Sequence, residues 1–197
     1  MLGAAEAFCK CCFVRRTEPC RKALSLPHVT FALLPICIGH VSDFERVIEH
    51  PFRPDVTVAT VVCRDRRFLI VEETVRGARV LNQPAGHLEA DESLIDAARR
   101  ETLEETGWEV EPLAFLGTYQ WTSPGGSAFL RFAFVAKATL HHPERPLDVG
   151  IEQALWLTRD EIAEQYERLR SPLVLSVIDD YLKDIRHPLS ALRWVAA

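Results

Sequence analysis

The sequence contains a helical segment that ends in three carboxylates on a single face. The segment spans residues 93–105, and Glu101, Glu104 and Glu105 stand at positions i, i+3 and i+4 within it. Apolar side chains occupy the same side of the helix one or two turns earlier. An apolar start requires this face to meet the body of the protein, so we expect the acids to rim a cleft.

Two interpretations of the acidic face are open. Most runs of charge are solvated faces, and these carboxylates could be one. Against this, like charges at this spacing destabilise a helix, and carboxylates in the last turn face the negative end of the helix dipole. A divalent cation would compensate both effects, and clustered carboxylate oxygens suit Mg²⁺. The metal site is therefore the preferred interpretation.

A wider pattern surrounds these acids. Gly86 is followed after five residues by Glu92, and after seven more by Arg100-Glu101-x-x-Glu104-Glu105-x-Gly107. This pattern resembles the Nudix box, the signature of the Nudix hydrolase family. One position departs, because Thr102 stands where the family usually has an aliphatic residue. Further blocks are similar to the phosphatase NudJ group of that family: Val71–Thr74, Asn82–Glu92, Gln120–Trp121, Phe129–Phe132 and Arg170–Leu173.

The resemblance implies an α/β Nudix fold, in which a mixed β-sheet is sandwiched between helices (α/β/α). The sequence pattern agrees. It predicts strands at 56–63, 68–71, 113–119, 129–138 and 154–157. It predicts helices at 93–105, after a Thr158–Glu161 capping box, and from Ser171-Pro172 to about Lys183, with a loop opening at Pro84 and Gly86. Two strand pairs are joined too tightly for crossovers, which favours a mixed sheet.

The resemblance also implies an activity: hydrolysis of phosphoanhydride bonds in nucleoside tri- and diphosphates and in thiamine-pathway diphosphates, with release of orthophosphate. Mg²⁺ is the expected cofactor, and Mn²⁺ could substitute for it. We expect the metal ligands to be Glu101, Glu104, Glu105 and the carbonyl of Gly86, whose missing side chain lets the backbone approach an ion.

The other roles follow with different strength. By family resemblance Arg100 and Glu92 orient the acids through ion pairing. Glu104 is the first choice for the general base, and Glu152 is the alternative because the wider family often uses an acid from a later loop. The candidates for substrate contacts are Gln83, Tyr119, Gln120 and Arg131. An arginine could meet a phosphate with two hydrogen bonds, and an aromatic ring could stack on a base.

Three other functions are alternatives to this one. A Nudix fold that senses a nucleotide without cutting it would be favoured by a broken box, but every acid is present. A Nudix pyrophosphatase that releases pyrophosphate is a closer alternative. A third is an interaction protein whose cysteine-rich N-terminus is the working part. The net charge of −5 gives no general affinity for polymeric nucleic acid, so a small nucleotide or diphosphate is the expected partner.

The first part of the chain differs from the rest. Five of the six cysteines lie before residue 40, which is no disulfide framework for the main domain and favours a cytoplasmic protein. We divide the chain into a cysteine-rich extension, residues 1–52, and a hydrolase domain, residues 53–197. The extension could bind zinc, but we expect it to be dispensable, and Val47 is a candidate for an inner translation start. No apolar run reaches membrane-spanning length. We expect the protein to be a monomer or a homodimer.

Overall fold

The computed structural model describes residues 52–195 of the 197-residue chain. The described residues belong to one compact unit that begins at His50. The predictions for the cysteine-rich extension, including its zinc site and its dispensability, lie outside the described residues. None of the helices within residues 52–195 is long and apolar enough to cross a membrane.

Seven strands and three α-helices make up the described region. The strands are β1 (Asp55–Arg64), β2 (Arg67–Val75), β3 (Ala78–Asn82), β4 (Ala85–His87), β5 (Trp108–Thr122), β6 (Ala128–His141) and β7 (Ile151–Thr158). The helices are α1 (Leu94–Thr106), α2 (Arg159–Ala163) and α3 (Leu173–Leu182), with short 3₁₀ turns at Tyr166–Arg168 and Leu189–Ala191.

The strands form a mixed sheet. Its order is β3-β2-β1-β6-β5, while β4 pairs with β1 and β7 pairs with β2. β1 and β6 are parallel, and the other pairs are antiparallel. β1 is the central strand, and its residues from Thr57 to Val62 are buried on both faces, as its continuous β-branched and apolar sequence predicts.

Helices cover both faces of the sheet. On one face Val58 and Phe134 pack with Ala97 and Ala98 of α1. On the other face Val61, Ala133 and Val135 pack beneath Val174, Val177 and Ile178 of α3. The predicted α/β architecture, a mixed sheet sandwiched between helices, is confirmed.

The structure corrects the prediction in one segment and extends it in others. Residues 85–87 do not form a loop: they form the short strand β4, in which Gly86 lies opposite Val58 of β1. β5, β6 and β7 are each longer than predicted. The Thr158–Glu161 capping box is confirmed, because both of its hydrogen bonds are present. β4 pairs with the first half of β1, whereas β2 pairs with the end of β1. This arrangement positions the candidate site.

Candidate active site

Local sequence signals fix the position of α1. The hydroxyl of Ser93 accepts the backbone N–H of Asp96 and caps the first turn. Gly107 ends the helix in the left-handed conformation (φ 69°), and its N–H donates to the carbonyl of Leu103 at 2.9 Å. A defined start and end hold the last two turns, which carry the acids, against the sheet.

The three carboxylates of α1 lie at different depths. Glu101 and Glu105 are each 8% exposed, whereas Glu104 is half-buried. The carboxylate of Glu105 accepts the backbone N–H of Ala85 in β4 at 2.8 Å. α1 and β4 therefore face each other across the carboxylates, and Glu104 is the acid that solvent reaches most easily.

Arg100 connects several acids to one guanidinium. Its Nε and Nη2 donate to the two carboxylate oxygens of Glu92 at 3.0 and 2.7 Å. Its Nη1 donates to Glu101 at 2.8 Å and to Glu104 at 3.1 Å. Nη2 also donates to the carbonyl of His87 at 3.1 Å. The arginine thus links Glu92 and the carbonyl of His87 to two of the carboxylates of α1.

Gly86 lies in direct contact with the acidic cluster. A Cβ atom at this position would fall 2.2 Å from the carboxyl carbon of Glu101, far inside van der Waals distance. The backbone of β4 can approach Glu101 only because position 86 has no side chain. This observation supplies the physical reason for glycine at the start of the Nudix box.

Burial changes the proton affinity of the cluster. Burial raises the pKa of Glu105 to about 8, against the favourable hydrogen bond from Ala85 and with the added repulsion of Glu101, Glu73 and Asp148. Burial also raises the pKa of Glu101. The hydrogen bonds from Arg100 hold the pKa of Glu92 below its usual range. The inner carboxylates are therefore under-compensated and would gain from a cation.

The donors suit a divalent ion, although Arg100 currently serves as their counter-charge. Within residues 52–195, no three acidic, histidine or cysteine side chains are grouped closely enough to chelate one ion as they stand. Instead, Arg100 is hydrogen-bonded to Glu101 and Glu104. The donor set consists of hard oxygens, and the absence of a side chain at residue 86 lets its backbone lie beside the Glu101 carboxylate. The residues therefore fit a divalent cation.

Two acids that sequence reasoning missed lie near the cluster. Asp148, in the loop before β7, donates its backbone N–H to the carbonyl of Glu104 at 3.1 Å, and its charge acts on Glu101 and Glu105. Glu73 lies at the end of β2, and burial raises its pKa. Glu73 lies within the Val71–Thr74 block, but nothing in that block marks it as a site residue. For Asp148 the only available signal was the expectation of an acid from a later loop, which led to Glu152 instead.

Glu152 has partners of its own. It accepts a hydrogen bond from the hydroxyl of Thr74 at 2.7 Å, and Arg79 lies 3.8 Å away. Its role as the alternative base stays a prediction.

The structure separates the four predicted substrate contacts. Gln83 is 1% exposed and donates to the carbonyl of Val174 at 2.7 Å. Arg131 is 8% exposed, and the charges of Glu105 and Glu73 act on it. Tyr119 donates its hydroxyl to Asp180 at 3.0 Å.

Gln120, the fourth candidate, is exposed on β5. The four roles stay predictions, but Arg131 is the candidate tied electrostatically to the acidic cluster.

Comparison with known proteins defines the class. A sequence model of the NUDIX domain matches residues 53–176. The chain belongs to the Nudix family, and it is a Nudix hydrolase.

The similarity extends to particular relatives. The chain is 45% identical over 141 residues to phosphatase NudJ of Escherichia coli strain K12 and of Shigella flexneri, which covers 72% of this chain and 92% of theirs. A solved structure of a NUDIX hydrolase from Nitrosomonas europaea superposes with a TM-score of 0.71 at 46% identity, covering 73% of this chain and 98% of that one. The expected resemblance to the NudJ group is confirmed.

Proposed function

We propose that this enzyme hydrolyses the terminal phosphoanhydride bond of nucleoside tri- and diphosphates and of related diphosphates, including those of the thiamine pathway, and releases orthophosphate. The observation that carries the proposal is the acidic cluster of α1 against Gly86, in a chain 45% identical to a phosphatase over most of its length. The partner is a small molecule, and we propose a cytoplasmic location without a membrane or polymeric nucleic acid as partner.

Each residue of the cluster has a proposed task. Glu101, Glu104, Glu105 and the Gly86 carbonyl would hold Mg²⁺, for which Mn²⁺ can substitute; the ion would neutralise phosphate charge and lower the pKa of a bound water. Arg100 and Glu92 hold the acids in position through the hydrogen bonds described above. The same arginine, released from Glu101 and Glu104, would keep its two bonds to Glu92.

The reaction needs a base and a water. A water oxygen forms a bond to the terminal phosphorus, and the bond from that phosphorus to the bridging oxygen breaks. The electron pair leaves with the bridging oxygen on the shortened phosphate. We propose Glu104 as the acceptor of the water proton, because it is the most accessible of the three acids. Asp148 is the alternative that the structure adds to Glu152, because its charge acts on the cluster.

Product analysis tests this proposal. A panel of nucleoside tri- and diphosphates and a thiamine-pathway diphosphate is incubated with the full chain and Mg²⁺, with and without a chelator. Orthophosphate is measured by malachite green, with and without added inorganic pyrophosphatase. We expect chelator-sensitive orthophosphate that the auxiliary enzyme does not increase. A signal that requires the auxiliary enzyme would instead identify a pyrophosphate-releasing Nudix enzyme, and binding without turnover would identify a sensing module.

The domain boundary and the assembly state are proposals of the same kind. We propose that residues 53–197 form the hydrolase domain and that residues 1–52 are not needed for turnover. A truncated chain beginning at Glu49 should match the full chain in thermal melt and in kcat/KM. A short form that is insoluble or inactive would overturn the boundary. Light scattering after gel filtration would distinguish a monomer from a homodimer.

A further inference from the structure

Buried polar atoms without partners are concentrated in four residues. Within residues 52–195, the buried side-chain atoms that lack a hydrogen-bond partner belong to Thr57, Gln83, Arg131 and Ser171. Each of these residues is at most 8% exposed. Native proteins satisfy nearly all such atoms, so a group of unsatisfied ones requires an explanation.

The sheet brings two of the four together. Thr57 of β1 and Arg131 of β6 are register partners in the parallel pair. Side chains alternate along a strand, so they share a face with Val61 and Ala133, which pack beneath α3. Thr57 and Arg131 therefore lie side by side on the face that α3 covers.

The chain segment before α3 brings in the third. This segment runs beside the end of β3, because the N–H of Arg170 donates to the carbonyl of Leu81 at 2.9 Å. Ser171 follows directly, and Asn82 at the end of β3 accepts a hydrogen bond from Arg131 at 3.4 Å. Ser171 and Arg131 thus approach the end of β3 together.

Gln83 supplies the fourth unsatisfied atom, Oε1. Its amide Nε2 donates to the carbonyl of Val174 in the first turn of α3. The first turn of α3 has no side-chain cap. The group therefore lies between the sheet and the positive end of this helix.

The charge of Arg131 gives this group its chemical character. In the described part of the chain, its one side-chain hydrogen bond is the long contact with Asn82, and its Nε has no partner. Burial lowers its pKa to about 10, although Glu105 and Glu73 act in the opposite direction from farther away. A buried cation without a bonded counter-ion costs folding stability. An anion beside Arg131 would remove that cost.

We propose that Arg131, Thr57 and Ser171 form a subsite that binds the terminal phosphoryl group of the substrate. This inference rests on the proposed function and names the group that decides its product. A guanidinium and two hydroxyls match phosphate oxygens, and Gln83 Oε1 can accept from a phosphate hydroxyl. Because these residues are at most 8% exposed, such a subsite would admit the end of a substrate but not a chain that continues past it. Hydrolysis is thereby directed to the terminal anhydride, and orthophosphate leaves.

Binding of inorganic phosphate tests the subsite without turnover. Thermal melts of the full chain are recorded in chelator, with sodium phosphate against sodium chloride at equal ionic strength. We expect phosphate to raise the Tm of the wild type, to raise it less in Thr57→Val and Ser171→Ala, and to have no specific effect on Arg131→Met. The control Arg67→Met changes an exposed arginine paired with Glu161 and should respond as the wild type does. An equal response in Arg131→Met would overturn the proposal and leave a hydrated polar cluster.

Kinetics separates this proposal from the function on which it rests. For a nucleoside diphosphate, Thr57→Val and Ser171→Ala should each raise KM about tenfold, with kcat less affected, because each removes one hydrogen bond to phosphate. With a triphosphate, Arg131→Met should lose the preference for orthophosphate over pyrophosphate. Failure of the wild type to hydrolyse any diphosphate would overturn the proposed function. Normal turnover with unchanged KM and product ratio in all three variants would overturn only the subsite.

Discussion

Two arginines near the acidic cluster are held in opposite ways. Arg100 is partly exposed and donates to the carboxylates of Glu92, Glu101 and Glu104. Arg131 is almost fully buried, and within residues 52–195 its side chain forms one long hydrogen bond, to Asn82. An arginine whose charge is fully paired by the protein holds those partners in place. An arginine whose charge is buried without a partner is expected to bind a ligand, because no interaction within the protein compensates for its desolvation.

Glu105 stands between these two cases. It accepts the N–H of Ala85, and within residues 52–195 it forms no salt bridge with either arginine. The acid is therefore short of positive charge, as Arg131 is short of negative charge. A metal ion and a substrate phosphate together would satisfy both. The following predictions test this contrast between the acidic cluster, with which Arg100 is paired, and the group of unsatisfied polar atoms around Arg131.

The largest effect is expected at Glu104. Glu104→Gln keeps the shape of the side chain but removes its charge, so it can neither accept the water proton nor bind a cation well. We expect kcat to fall by about 10³-fold or more with the fold intact. Steady-state phosphate release and far-UV circular dichroism would measure this. Glu164→Gln, at the exposed end of α2, is the matched control; near-normal turnover in Glu104→Gln would disprove the mechanism.

The second effect is a pH dependence of stability that comes from Glu105. Its folded pKa, about 8, lies above the ordinary value of 4.5, so the folded state binds the proton more tightly. The contribution is fully present below about pH 4.5 and is lost as the pH rises through 8, by an amount on the order of 4 kcal/mol. Urea unfolding in chelator from pH 5 to 8.5 should show this loss.

The matched variant for this test is Glu105→Gln, which keeps an oxygen for the N–H of Ala85. It should flatten the slope of unfolding free energy against pH relative to the wild type. The difference between the two proteins matters, because acids with lowered pKa values, such as Glu92, act in the opposite direction at low pH. Parallel slopes would show that Glu105 is already compensated.

The third effect is expected at Gly86. In Gly86→Ala the new methyl group would displace the Glu101 carboxylate, since the Cβ would lie 2.2 Å from its carbon. We expect kcat/KM to fall by about 10²-fold, with apparent Mg²⁺ affinity reduced, because misplacing a ligand by an ångström disturbs alignment. Gly125→Ala in the β5–β6 loop is the control, because its nearest neighbour would be 3.8 Å away. Equal activity of the two variants would contradict the requirement for glycine at position 86, beside the Glu101 carboxylate.

Much of this site could be predicted from sequence, and the reason is local spacing. Glu101, Glu104 and Glu105 share a helix face by arithmetic, and the pairing of Arg100 with Glu92 follows from the Nudix box. The strand at residues 85–87 was missed because three residues carry no periodic pattern. Its existence depends on the pairing with β1.

Long-range placement was the other limit. The neighbourhood of Arg131 is set by the β1–β6 register and by where the segment before α3 runs, which no local pattern reveals. Asp148 could not be told apart from the other acids of its loop until the fold brought that loop to α1. Thr102, the departure from the family pattern, is explained only by its partner Thr60, 42 positions away in sequence.

The smallest effect compares two threonines of β1. Thr60 is fully buried, and its hydroxyl lies 2.6 Å from that of Thr102, which itself donates to the carbonyl of Ala98. Thr60 must therefore be the donor in the pair. Thr57 is also buried, but its hydroxyl has no partner in the described residues. Thr60→Val should cost about 1 kcal/mol of unfolding free energy, whereas Thr57→Val should be neutral or stabilising by a similar amount.

Activity should order the same two variants the other way. Thr60→Val leaves the proposed phosphate contacts untouched, so its KM for a nucleoside diphosphate should stay close to that of the wild type. Thr57→Val should raise KM, because it removes the hydroxyl that binds the terminal phosphate in the proposed subsite. Urea unfolding without phosphate and initial-rate kinetics on the same preparations provide both readouts. Valine has nearly the shape and strand preference of threonine, so differences in packing are small. If Thr57→Val instead loses stability and keeps the KM of the wild type, the Thr57 hydroxyl has a structural partner, such as a buried water. The contrast between the acidic cluster and the polar group around Arg131 would then fail at this position.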